Sequence, residues 1–358
     1  QQGRATNPMP TSANLVTRAA AGLKGGSDVA VADVNDDQRQ DLLVVGGDAA
    51  TLYLQSDDKT FEAAGAGLTG GEAASIADVN GDDRKDLLIT GRTANSSAGT
   101  TLYLQNSDGS FSEAGANLTG VFESATSIAD VNGDDHPDLL ITGQDADRNY
   151  TATLYYGTGD GTFDPSNAGL TAVTNGSTAI ADVNDDGRQD LVVAGFDTNF
   201  ENSTRIYLQQ SDGSFSTAGA DVMGISNGSV SVADVDGNGT LDLLLVGWSG
   251  EHSAALYLQN DNGTFDPANA GLTGVTAGHG AVGDIDGDGT KDLLVTGGSA
   301  NAGPIATLYL QNDDGSFAAT DAGLTGVAGS TTEIADIEGD GDADLLIGGN
   351  DALPTPSA

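Results

Sequence analysis

The chain has 358 residues, no cysteine, and 53 acidic against 12 basic side chains, for a formal net charge of -41. So few Lys and Arg exclude a phosphate-binding surface, and with it a nucleic-acid partner; the missing cysteines exclude disulfide cross-links and thiolate metal sites. The charge fits a cation-binding protein, a surface kept hydrated in concentrated salt, or an ordinary solvated acidic face.

No apolar run reaches the roughly 18 residues of a membrane span. The start QQGRATNPMPTSAN lacks a basic-then-apolar leader pattern. Gln1 is an unusual first residue for a nascent chain, so we expect a mature secreted or cell-surface protein whose signal peptide has been removed. Residues 1–13 read as an N-terminal segment, 14–349 as one repeated domain and 350–358 as a tail or linker.

The segment SIADVNGDDRKDLLIT at 75–90 recurs along the chain, in seven copies whose first aspartates are Asp33, Asp78, Asp130, Asp182, Asp234, Asp284 and Asp336. Most copies start 52 residues apart, a period that marks a repeat architecture. In each copy a short apolar strand enters an acidic loop and a second (DLLIT) leaves it. A third strand (TLYLQ) follows, then a turn such as SDGS, GDGT or DNGT and a Phe-containing fourth strand. Asp-Gly or Asn-Gly between apolar runs signals a hairpin. Four antiparallel strands per copy make a propeller blade.

The expected fold is therefore all-β, a seven-bladed β-propeller of four-stranded antiparallel blades; an open β-solenoid is the alternative. The C-terminal copy lacks a TLYLQ hairpin, and NLVTRAAAGL near the N-terminus fits the frame of the missing fourth strand, with Val16 near the Phe position. We expect this N-terminal strand to complete blade seven and close the ring. Pro8 and Pro10 stand where its third strand should lie, and Pro cannot donate to a ladder, so a short strand or one from another subunit would fill that place.

The acidic loop places oxygen-bearing side chains at positions one, three, five and nine. They are Asp33, Asn35, Asp37 and Asp41 in loop one; Asp78, Asn80, Asp82 and Asp86 in loop two; Asp130, Asn132, Asp134 and Asp138 in loop three; and Asp182, Asn184, Asp186 and Asp190 in loop four. Loop five offers Asp234, Asp236, Asn238 and Asp242; loop six Asp284, Asp286, Asp288 and Asp292; loop seven Asp336, Glu338, Asp340 and Asp344. Position seven, expected to offer its backbone carbonyl, is in turn Arg39, Arg84, His136, Arg188, Thr240, Thr290 and Asp342. Calcium takes six to eight hard oxygen ligands, and alternate residues of a tight loop point into one concavity. Up to seven Ca²⁺ are expected, the final Asp of each loop being able to bind through both oxygens. Position six needs a positive φ, which Gly supplies in loops four to seven; Asp83 and Asp135 tolerate it better than Gln38 does, so loop one is expected to bind most weakly. The alternative is a set of Asx-turns that need no metal.

D-x-[DN]-x-[DN]-G-x-x-D between apolar strands, repeated with TLYLQ-type hairpins over about residues 14–349, resembles the FG-GAP/VCBS repeat family, which also builds the head of integrin α-subunits. The resemblance implies a seven-bladed propeller with calcium between strands one and two, in secreted or cell-surface proteins that adhere to proteins or glycans. The literal Phe-Gly and Gly-Ala-Pro signatures of the animal repeats are missing, so the chain looks closer to the microbial branch.

On the opposite rim the two-to-three connections vary most and carry Arg148, Tyr150, Phe196, Phe200, Trp248 and His252. Such rings suit sugar stacking or a protein contact; capping the core is the other reading. Asn-x-Ser/Thr sequons stand at Asn95, Asn117, Asn149, Asn175, Asn202, Asn227 and Asn262, candidates for glycosylation. No nucleophile–base arrangement is legible around His136, His252 or His279, so a non-enzymatic adhesion or assembly module is expected. The alternatives are a lectin, a surface polymer built by strand exchange and, last, a polysaccharide-acting enzyme.

Overall fold

The computed structural model describes residues 28–47, 49–93, 97–219 and 221–351, and every regular element among them is a β-strand. Unit six shows the plan: Val275–Gly283, Asp292–Ser299, Gly303–Gln311 and Phe317–Thr320 pair antiparallel in chain order. Units one to five repeat it, opening at Asp28, Ala73, Phe122, Val173 and Ser226. Unit seven shows two strands, Val327–Ala335 and Asp344–Asp351. The strand expected near the N-terminus, with Pro8, Pro10 and Val16, lies outside the described residues, as do the tail beyond Asp351 and the sequon at Asn95.

The second strand of each unit reads as an unbroken apolar run because both its faces are covered. Leu243, Leu244, Leu245 and Val246 of unit five are all fully buried, as in a strand sandwiched between layers. Neighbouring units supply the cover. Among the described residues the buried apolar side chains form seven clusters, six shared by two consecutive units and one by units one and seven. Leu43 and Val45 of unit one pack on Leu87 and Ile89 of unit two, while Leu42 and Tyr53 of unit one pack on Ile337 and Leu346 of unit seven. Burying one such Leu stabilises the fold by about 2 kcal/mol.

Polar side chains fix the units in register. The Gln that ends the third strand donates its side-chain amide to a loop carbonyl of the preceding unit. Gln105 reaches Val34, Gln209 Val131, Gln259 Val183 and Gln311 Val235, at 2.8 to 3.0 Å. Gln55 does the same to Ile337 of unit seven, at 3.0 Å. Between successive first strands hydroxyls make the bridge: Ser127 meets Thr178, and Ser229 accepts the Gly280 amide. Asp28 accepts from Ala74 of unit two and from Thr331 of unit seven. Each first strand of units three to seven carries a bulge near its start. In unit five it sets Asn227 at φ 48° and brings Gly228 so close to the second strand that a Cβ there would fall 1.8 Å from the Val246 carbonyl.

Candidate metal centres and the opposite rim

Each acidic loop is folded by its own carboxylates. The first Asp turns inward and accepts loop amides: Asp284 takes Asp288 N at 3.0 Å and Gly289 N at 2.9 Å. Such Asx-type bonds wind the loop tightly. Position six has a positive φ in all seven loops, from 65° at Asp83 to 92° at Gly289, and 69° at Gln38. Position four is left-handed as well, at Asp36, Gly81, Gly133, Asp185, Gly237, Gly287 and Gly339. The sequence pattern showed the first requirement and not the second, although Gly or Asp at position four was the available signal.

The last Asp of the loop is a buried latch. Asp190 is fully enclosed and accepts Val183 N at 3.0 Å on one oxygen and Gln209 N at 2.8 Å on the other. Asp242 and Asp292 do the same between loop and third strand. Burial pushes the carboxyls of Asp86 and Asp190 up to about 6, and those of Asp41, Asp138, Asp242, Asp292 and Asp344 upward too. In Asp242 and Asp292 each oxygen accepts one such amide and keeps a lone pair beyond it. A cation beside the latch would offset the cost of burying its charge.

Beyond the latch the loops differ. In loops five and six three carboxylates converge, Asp234, Asp236 and Asp242 in one and Asp284, Asp286 and Asp292 in the other, each set offering oxygens within 4.8 Å of one another. Asp234 Oδ1 is buried and has no hydrogen-bond partner, an unmet acceptor of the kind a hard cation satisfies. These residues fit Ca²⁺. In loops one, two and four the Arg at position seven turns its guanidinium back onto the position-five carboxylate, pairing Arg39 with Asp37 at 2.5 Å, Arg84 with Asp82 and Arg188 with Asp186. In loop three Asn132 donates to Asp134, and the His136 ring lies against Gly159. In loop seven Glu338 receives Lys59 of unit one at 2.7 Å. Asp336 accepts Asp340 N and Gly341 N, and Asp340 accepts Asp342 N.

On the opposite rim the aromatic candidates form pairs within single hairpins. Trp248 and His252 meet edge to face at 5.5 Å, and Phe196 and Phe200 at 6.3 Å. Phe200 is 77% exposed and Trp248 36%, the two large apolar side chains left open among the described residues. Phe200 also holds φ 63°, a conformation that bulky side chains avoid. The hairpin holds it through the buried Asp197, whose carboxylate accepts Asn199 N and Glu201 N. Arg148 is exposed on unit three with φ 66°, and Tyr150 is half-buried. Of the sequons, Asn117, Asn149, Asn227 and Asn262 are exposed. Asn175 spends its amide on Glu123 Oε2, Asn202 accepts from Ser226, and both are half-buried. Asn262 lies in a three-to-four turn, away from this rim.

A cavity of about 490 Å³ opens where the first strands meet, lined by Asp28, Glu72, Thr126, Ser177, Ser229, His279 and Thr331, one from each unit. Periodicity gave no warning of its carboxylates Asp28 and Glu72, because they stand at or just before the start of a first strand. Glu123 Oε2 accepts from Gln144, Thr174 and Asn175, its backbone amide bonds Glu72, and Arg92 lies over the Phe122 ring. Burial pushes Asp28 up to about 6 and His279 down to about 4; His279 Nδ1 contacts the Thr332 hydroxyl at 2.8 Å.

Among known proteins, the FG-GAP-like repeat model matches six overlapping stretches: 33–89, 78–141, 130–193, 182–245, 234–295 and 284–347. No curated protein matches the chain. Among solved structures it is similar to an Agrocybe aegerita lectin solved for its specific recognition of non-reducing terminal N-acetylglucosamine, with a TM-score of 0.54 at 19% identity over 81% of this chain and 78% of that one. It is also similar to BBS1N solved in complex with ARL6DN (TM-score 0.52, 12% identity, 90% and 88% covered). An ancestral GH74 enzyme gives 0.55 at 13% identity, the match covering 93% of this chain and 49% of that one. These likenesses support a propeller-type fold and carry no activity with them. No helix among the described residues is long and apolar enough to cross a membrane. With its family model matching six successive repeats from Asp33 to Ile347, the chain belongs to the FG-GAP-like repeat family.

Proposed function

We propose that the seven units close into a calcium-stabilised, secreted or cell-surface β-propeller that works as a non-enzymatic binding module, docking a protein or glycan on the hairpin rim. Closure is supported by the apolar cluster and the Gln55 hydrogen bond that join units one and seven. The observation that carries the binding role is Phe200: a ring 77% exposed, in a strained backbone conformation, at the tip of a hairpin that a buried carboxylate holds rigid. Trp248, on the adjacent unit, presents a second ring on the same rim. Strain kept at an exposed tip points to use there, and rigid aromatic faces are efficient anchors for proteins and sugars alike.

A glycan partner is the second reading, favoured by the stacking faces and by the lectin among the structural relatives. Catalysis is not part of the proposal. Glu123 is consumed as an acceptor of three side chains, and His279 faces a threonine hydroxyl rather than an acid–nucleophile pair. Protein binding is to be assayed against candidate surface proteins and glycan binding on an array that includes terminal N-acetylglucosamine. The double variant Phe200→Ser, Trp248→Ala is expected to lower affinity for the partner at least about ten-fold with an unchanged melting temperature. Full retention by the variant would remove the rim from the account.

A further inference from the structure

We propose that Arg39, Arg84 and Arg188 are built-in counter-cations that take the place of metal in the loops of units one, two and four, concentrating divalent cation in units five and six. The proposal rests on the metal-binding reading of the loops given above.

Three observations converge on it. The first is geometric. Each of these arginines forms a fork, with Nε donating to the carbonyl that ends its unit's third strand and a terminal nitrogen pairing with the position-five carboxylate. The carbonyls are those of Gln55, Gln105 and Gln209, at 3.0, 2.9 and 3.0 Å, and the carboxylates those of Asp37, Asp82 and Asp186. A planar guanidinium suits such a two-sided bridge, because its donors are fixed in direction and its charge is permanent.

The second is the company these arginines keep. Where position seven is Arg, position three is the neutral Asn35, Asn80 or Asn184; where position seven is Thr240 or Thr290, position three is Asp236 or Asp286. The arginine loops thus carry an amide at position three where loops five and six carry a carboxylate; loop three, with Asn132 and His136, has that amide without the arginine, and loop five has its own amide, Asn238, at position five. The arginine and the amide both lower the attraction for a cation, and a divalent ion sharing Asp37 with Arg39 would meet a like charge within a few ångströms.

The third is that the threonines occupy the same place without charge. Thr240 Oγ1 has one proton to give and lies within hydrogen-bond reach of the Gln259 carbonyl, at 3.0 Å, and of Asn238 Oδ1, at 2.6 Å; Thr290 Oγ1 donates to Asp288 Oδ1 at 2.6 Å. The position-seven side chain therefore braces the loop in five of the units, by hydroxyl in two and by guanidinium in three. In loops five and six position seven brings no positive charge, and three carboxylates converge in each.

The test is peptide-resolved hydrogen exchange of the full chain, with calcium and after chelation, together with a calcium-binding titration. Chelation is expected to speed exchange about ten-fold or more around 234–242 and 284–292, and by less than about two-fold around 33–41, 78–86 and 182–190. In the variant Arg39→Gln, Arg84→Gln, Arg188→Gln, the three arginine loops should become chelator-sensitive and the number of bound calcium ions should rise. Should the triple variant not fold, Arg84→Gln alone gives the same readout at 78–86. Equal calcium protection of all five loops in the wild-type chain overturns the proposal while leaving the metal reading intact. Arginine loops that stay insensitive to calcium in the variant overturn it as well. Calcium bound by no loop overturns both.

Discussion

The two rims are built from one repeat and differ in what the repeat protects. On the loop rim the same carboxylate is buried in all seven units, at Asp41, Asp86, Asp138, Asp190, Asp242, Asp292 and Asp344, and those of Asp190, Asp242 and Asp292 tie their loops to the third strand. On the other rim no two hairpins share a sequence, and two of them leave an aromatic ring in solvent. Constancy with burial belongs to a frame, and variation with exposure to a surface that has a partner to meet. The acidic loops thus hold the fold together, and the hairpins are free to differ because they do not.

The largest effect that separates these roles should come from the latch. Asp190→Ala leaves two buried amides without acceptors and is expected to cost about 3 to 5 kcal/mol in urea unfolding, whereas Asn184→Ala at the exposed position three should cost less than about 1 kcal/mol. Similar losses from both would mean that the loop acts as a whole and that no latch exists. Between units, Gln259→Ala orphans the Val183 carbonyl and should cost about 1 to 3 kcal/mol by the same measurement; a neutral result would place unit-to-unit cohesion in the apolar clusters alone. The smallest effect has the opposite sign. Gln38 holds φ 69°, so Gln38→Gly should raise stability by about 1 kcal/mol through relief of the left-handed strain. A loss there would show that the Gln38 side chain contributes contacts that outweigh the strain.

Much of this was legible in the sequence. The period placed the strands, because an apolar run such as DLLLV between a turn and a hairpin has one reading once it recurs seven times. The oxygen-bearing side chains at positions one, three, five and nine, the candidate metal ligands, came from the same alignment of copies. The Arg fork did not: the sequence reading assigned Arg39, Arg84 and Arg188 a backbone role, and a side chain that folds back two residues leaves no periodic trace. The cavity carboxylates Asp28 and Glu72, and Glu123 whose amide bonds Glu72, were invisible for a related reason. They stand at strand starts and bulges, where the repeat is least regular, and contacts between units make them neighbours.

The central claim, that these loops fasten the fold through bound calcium, meets its most direct test in the thermal unfolding of the full chain with saturating calcium and with excess chelator. One site held at 100-fold its Kd adds about 2.7 kcal/mol, and two such sites should move the melting temperature by roughly 4 °C or more for a chain of this size. A clear fall on chelation, restored by added calcium, is the predicted result. An unchanged melt would contradict the account and leave the loops as Asx-turns that hold themselves.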